Sequence, residues 1–273
     1  MKKETQALTE IDLDVIVRNR AGNKAKFIPQ FVLNWLKRLI HQEFINTYLR
    51  QGYEGVEFCK GVVNYLGVTV KVEGRENLPT DNRCYTFVSN HPLGAVDGVT
   101  LGWVLGEHYN GKIKYLVNDL LMNLKGLAPL CVPINKIGRQ ARNLPLMVEN
   151  AFGSDCHVIM FPAGLCSRMQ DNGQIRDLQW NKTFVIKSVQ HQRDVVPIHF
   201  EGRNSNRFYS IARWCKRLHL PNFAMILLPD EMYRSQGNTY TVKIGKPIPW
   251  QTFDKSKSPT QWGEWVREQI YTL

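Results

Sequence analysis

Short runs of β-branched and aromatic residues recur along this chain, and most end in a polar loop bearing glycine or proline. Residues 84–88, 114–117, 130–134, 157–161 and 194–202 are such runs, and residues spaced as in a helix lie between several of them. Runs of about four to eight residues with this composition mark buried strands. Strands alternating with helices pack as one sheet covered on its faces, so the pattern predicts an α/β fold. Further strands are expected at 68–74 and 239–245, a short helical piece at about 118–124, and a basic amphipathic helix over 206–220. After Ser258 and Pro259, a last helix carrying Trp262, Trp265, Val266 and Ile270 starts with the residues that favour a helix N-terminus.

The run at 84–88 leads into Ser89-Asn90-His91-Pro92-Leu93-Gly94-Ala95-Val96-Asp97-Gly98. Pro92 and Gly94 forbid a regular helix directly after the strand, and helical spacing begins near Asp97. On one continuous helix, His91 and Asp97 would stand about 240° apart around the axis. The turn removes that restriction and lets a carboxylate fold back onto one imidazole nitrogen. The other nitrogen is then free to take a proton, as a general base must. Taken alone, a capping aspartate and a turn histidine would account for the same letters.

A second run, 157–161, breaks into Pro162-Ala163-Gly164-Leu165-Cys166-Ser167-Arg168, and two strands ending in such loops can meet at one edge of a sheet, where open α/β folds place their sites. Asn-His-Pro-Leu-Gly-Ala-Val-Asp at 90–97 and Phe-Pro-Ala-Gly at 161–164 resemble two motif blocks of the glycerolipid acyltransferases, the lysophosphatidic acid acyltransferase-like superfamily. In the common forms four residues separate the histidine from the aspartate, and a glutamate stands where this chain has Ala163. Five residues separate His91 from Asp97 here. Both departures resemble the hemolysin-type branch, which includes the O-acyltransferases that complete ornithine and glycine lipids. The resemblance covers 84 to about 205, less than half the chain.

The resemblance implies a glycerol-3-phosphate acyltransferase-like fold, with a mixed central sheet flanked by helices, in an acyltransferase domain at 68–273 behind an N-terminal helical segment at 1–67. It implies transfer of a fatty acyl group from an acyl carrier protein or coenzyme A thioester to the hydroxyl of a lyso-lipid, without metal or other cofactor. His91 and Asp97 would form the base. The Gly164 N–H is expected to stabilise the oxyanion, because glycine permits close backbone approach. Asn90 and Pro162, in the two blocks, and Asn204, which follows a run resembling a further block, are expected to contact substrate. Ser167 and Arg168 are placed to meet an anionic head group. Arg139 matches an arginine that contacts the acceptor's polar group, and a guanidinium suits a carboxylate or phosphate. The favoured acceptor is an N-acylated amino acid lipid. A lysophospholipid acceptor, or a non-catalytic basic membrane-binding protein, are the competing readings.

The net charge of +11 over 273 residues, 43% of them hydrophobic, fits an anionic partner. With no Cys/His finger and no glycine-rich phosphate loop, nucleic acid is not the expected one. Six scattered cysteines without Cys-x2-Cys spacing indicate a reducing compartment without disulfides or zinc. Residues 1–23 lack the apolar core of a signal peptide, and no stretch reaches the roughly 18 apolar residues needed to span a bilayer. From Lys24, however, Ile28, Phe31, Val32, Trp35, Leu36 and Leu39 interleave with basic residues at helical spacing. Such a helix either packs on the core or lies in the headgroups of an anionic membrane. The second arrangement would put the protein on the cytoplasmic face of the inner membrane as a peripheral protein.

Overall fold

The computed structural model describes residues 10–22, 28–117, 124–133 and 144–273. Its main sheet contains β1 (Thr69–Glu73), β2 (Thr86–Ser89), β3 (Ile113–Val117), β4 (Cys131–Pro133), β5 (His157–Met160), β8 (Val195–Glu201) and β9 (Thr239–Ile244). A separate hairpin pairs β6 (Arg168–Met169) with β7 (Ile175–Arg176). The sheet runs β1-β9-β8-β2-β5-β3-β4, which puts β2 at its centre. Every neighbouring pair is parallel except β8 with β9, so the sheet is mixed, as expected. The expected piece at 118–124 falls, except for its last residue, outside the described residues.

The alternation of side chains along the strands divides the core. Phe87, Ile159, Val196, Ile198 and Phe200 join a cluster on one face, while Val88, Val158, Met160 and Val195 join Phe152, Trp180 and Phe184 on the other. Each such side chain contributes about 1.5–3 kcal/mol when fully buried. A one-residue slip of β2 would exchange Phe87 for Val88 and misplace both, which fixes its register.

Helix α5 (Val96–His108) follows β2 on the first face, beside α4 (Gly55–Tyr65). On the second face lie α6 (Leu144–Phe152), α7 (Thr183–Gln190) and α10 (Pro259–Ile270). Ser258 and Gln261 form a capping box on α10, where the sequence predicts a helix start. From β2 the chain crosses to β3 on one side, and from β5 it crosses over to β8 on the other. The loops after β2 and β5 therefore flank a switch point, where ligands bind in open α/β sheets.

The helical segment at 1–67 is not a separate body within the described residues, since Phe58, Cys59, Val62 and Val63 of α4 belong to the main core. Helix α1 (Leu13–Ala21) is capped by Asp12 and turns Leu13, Ile16 and Val17, half-buried, to one face. The predicted amphipathic helix is α2 (Gln30–Leu39), followed by α3 (Gln42–Leu49). Leu33 is buried, whereas Phe31 and Trp35 are 73% and 57% exposed. Helices α8 (Asn206–Arg217) and α9 (Leu228–Arg234) lie between β8 and β9 in the chain. Phe208, Tyr209 and Ala212 of α8 form a third cluster with Cys166, Ala224 and Leu227, against which Leu39 of α2 packs.

Candidate active site

Because β2, β5 and β8 are parallel neighbours, their C-terminal ends reach the same edge and bring together the loops at 90–98, 161–168 and 202–205. Where the β2 backbone leaves the sheet, the Asn90 side chain takes over its pairing. Its Nδ2 donates to the Phe200 carbonyl at 2.9 Å and its Oδ1 accepts from the Phe200 N–H at 2.7 Å. The backbone is then free to turn at His91.

Gly94 makes that turn possible twice over. Its φ of 82° is in the left-handed region, and a Cβ there would overlap Cys166 Sγ on the neighbouring loop and stand 3.0 Å from Leu228. Gly94→Ala should cost about 1–3 kcal/mol from backbone strain alone, with the overlap added, and should separate the two loops. Thermal unfolding and transfer activity measured together check this, and a variant as stable and active as the parent would refute it.

Asp97 lies in the first turn of α5, fully buried. Its Oδ2 accepts from His91 Nδ1 at 3.0 Å, Leu93 N–H at 2.9 Å and Gly94 N–H at 3.2 Å, and its Oδ1 accepts from Gly98 N–H at 2.8 Å. The same carboxylate thus holds the turn and orients the imidazole, whereas the expected helix-capping role is not met, since the N-cap of α5 is Ala95 and no side chain caps it. The ring of Phe161 stacks on His91 with centroids 4.1 Å apart. With Nδ1 held by the carboxylate, Nε2 has no protein partner among the described residues, and the His91 side chain is 17% exposed. Burial favours the neutral form of each partner. The charge and hydrogen bond of the other outweigh it, lifting the His91 imidazolium above the usual histidine range and holding the Asp97 carboxyl below its own.

Several residues expected to touch substrate hold the loops instead. Asn90 is occupied by Phe200. Asn204, buried, donates to the carbonyls of Pro92 and Leu93 at 3.2 and 3.4 Å and so fastens the histidine turn. Ser167 is buried too: its N–H donates to the His91 carbonyl at 2.8 Å and its hydroxyl to Asp177 at 2.6 Å. Pro162 is buried, with its carbonyl accepting from Asn181 N–H at 2.9 Å. The Gly164 N–H donates to the Phe161 carbonyl at 2.9 Å, closing a tight turn, and is not available to an oxyanion in this arrangement. Arg168 donates to the carbonyls of Cys166 and Ser167 and lies over the Phe208 ring, while its charge reaches His91 and opposes protonation of the imidazole. Arg139 lies outside the described residues. Cys166 is buried, and its thiol is pushed up to about 12 by that burial, which leaves it inert as a nucleophile. His199 packs against Tyr271.

Asp177 is the residue the sequence does not reveal. Its Oδ1 accepts from the His91 N–H at 3.1 Å and from the Ser167 hydroxyl, and its Oδ2 accepts from Trp180 Nε1 at 2.9 Å. Its own N–H donates to the Tyr271 hydroxyl at 2.8 Å. The buried Asp177 carboxylate thus ties the histidine turn to the second loop, while its backbone N–H reaches the C-terminal helix region. Only the tryptophan three residues on hints at a buried acceptor.

A buried carboxylate, an imidazole with its second nitrogen open and a glycine-shaped double loop at a sheet edge equip a site for proton abstraction without a nucleophilic side chain. The chain matches the model of the acyltransferase family over residues 15–273 and belongs to that family. It is 58% identical over 266 residues to the lyso-glycine lipid O-acyltransferase of Bacteroides thetaiotaomicron, spanning 96% of this chain and 97% of that protein. The protein of the same name from Phocaeicola vulgatus is 55% identical over 266 residues, spanning 96% of this chain and 95% of its own. Among solved structures, the 1-acyl-sn-glycerophosphate (LPA) acyltransferase of Thermotoga maritima matches with a TM-score of 0.48 at 16% identity, covering 94% of this chain and 87% of that one.

Proposed function

We propose that this enzyme acylates the hydroxyl of a lyso-glycine lipid, with His91 as general base. The observation that supports the mechanism is the Nδ1 contact to buried Asp97, which favours the tautomer whose Nε2 lone pair is free for a hydroxyl proton. Nε2 takes the hydroxyl proton as the oxygen attacks the thioester carbonyl. The tetrahedral oxyanion collapses, the carbon–sulfur bond breaks, and the thiolate leaves, to be protonated by the imidazolium or by water. The oxyanion is stabilised by an N–H of the second loop other than that of Gly164, and Arg168 supplies positive charge on the same side. The acceptor's carboxylate is the natural partner of an arginine, Arg168 or Arg139. Acyl carrier protein or coenzyme A serves as the thioester carrier.

The acceptor assignment is supported by relatives of 58% and 55% identity that carry that name. The enzyme works peripherally on the cytoplasmic face of the inner membrane, a reading supported by the exposed Phe31 and Trp35 of α2. No helix among the described residues is long and apolar enough to cross a bilayer. Purified protein given labelled acyl carrier protein or acyl coenzyme A and a panel of lyso-glycine lipid, lyso-ornithine lipid and lysophosphatidic acid tests the reading. The highest kcat/KM is expected on lyso-glycine lipid, and a preference for lysophosphatidic acid would overturn the assignment.

A further inference from the structure

Helix α8 and the segment after it carry an exposed apolar surface that the acyl-transfer chemistry does not use. Trp214 is 65% exposed, Leu218 53%, Leu220 49%, Phe223 48% and Ile226 42%, all within a stretch of chain beside the third core cluster. Exposed apolar side chains scattered singly are ordinary, but a run of large ones marks an interaction surface. Arg213, Lys216 and Arg217 are exposed among them. The inner face of the same helix is fastened to the site. Phe208 lies under Arg168, and the Tyr209 hydroxyl accepts from the N–H of Asn204, whose side chain holds the histidine turn.

We infer that the outer face of α8 with the 218–226 segment docks on an anionic lipid bilayer. Tryptophan, leucine and phenylalanine interleaved with arginine and lysine match the boundary between acyl chains and negative headgroups. Docking there sets the bilayer about one helix diameter from the His91 turn, so a lyso-lipid reaches the base without leaving the membrane entirely. Leu39 of α2 packs against the same cluster, so α2 and α8 both help cover it. The inference rests on the lyso-lipid reading only for its purpose. Vesicle binding without acyl donor tests it separately from catalysis.

The experiment is co-sedimentation of the full chain with vesicles of phosphatidylcholine alone and of equal parts phosphatidylcholine and phosphatidylglycerol. The parent protein is expected to bind the anionic vesicles preferentially. R213E/K216E/R217E should weaken that binding roughly tenfold or more, and W214S/L218S/F223S should do so by about tenfold, with circular dichroism and Tm near those of the parent. If the triple apolar variant fails to fold, Trp214→Ser alone should still lower binding severalfold. Binding of the folded α8 variants equal to the parent's would overturn the inference. So would absence of parent binding to either vesicle. Loss of binding in F31S/W35S but not in the α8 variants would overturn it too, while leaving a peripheral enzyme held by α2. Unchanged vesicle binding with lost affinity for an acidic carrier protein would reassign the face to that protein.

Discussion

Replacing His91 with alanine is expected to lower kcat/KM by about 10²- to 10⁴-fold, the usual worth of a positioned general base, while leaving the protein folded. Asp97 keeps its three backbone donors from Leu93, Gly94 and Gly98 in that variant, so the turn keeps most of its support. Retention of activity within about tenfold would remove His91 from the role of base. The pH dependence carries the same argument with a sign. His91 must be neutral to accept a proton, and its pKa is raised, so activity should appear as pH rises through a midpoint above the ordinary histidine value. Asp97→Asn removes the partner that raises it, and the midpoint should fall along with the rate. The ion pair's contribution to stability runs the other way. It is lost as pH rises through the raised His91 pKa, and again as pH falls through the depressed Asp97 pKa. Unfolding curves on either side of the activity midpoint should therefore show stability declining where activity appears.

The contact between His91 and Asp97 was legible in the sequence because Pro92 and Gly94 interrupt any helix between them, and the meeting of the two loops was legible because both follow strand-like runs. Their parallel pairing within one sheet delivers them to one edge. Asn90, Ser167 and Asn204, expected at the substrate, bind the protein's own loops for a common reason. A polar residue in a loop beside a site looks like a ligand contact, but a loop that leaves a sheet must also satisfy its own backbone groups. These side chains turn inward to do so. The Gly164 N–H meets the Phe161 carbonyl instead, because conformational freedom says where a backbone goes and not what its N–H meets. The split at residue 67 marks a change in pattern, from helices to strands, that the packing ignores, since α4 covers the sheet it precedes.

Asp177 shows what pattern reading cannot reach, and its removal should have the second large effect. Burial pushes its carboxyl above the usual range, so keeping it charged depends on the donors it gathers: the Ser167 hydroxyl, Trp180 Nε1 and the His91 N–H. Asp177→Ala would strand all three, and the expected loss is about 3–5 kcal/mol of stability, read as a lower midpoint in denaturant. Asp177→Asn separates support from charge. The amide can keep one acceptor but sets an NH2 group against a donor, so a smaller loss of about 1–3 kcal/mol is expected. It also removes a negative charge that raises the His91 pKa. The activity midpoint of Asp177→Asn should therefore move to lower pH, as in Asp97→Asn but by less. Ser167→Ala and Trp180→Phe each remove a donor while keeping the carboxylate, so they should lower stability with the midpoint nearly unmoved. A shift of the same size in all three variants would mean that the loop merely loosened, and that Asp177 exerts no field on the imidazole.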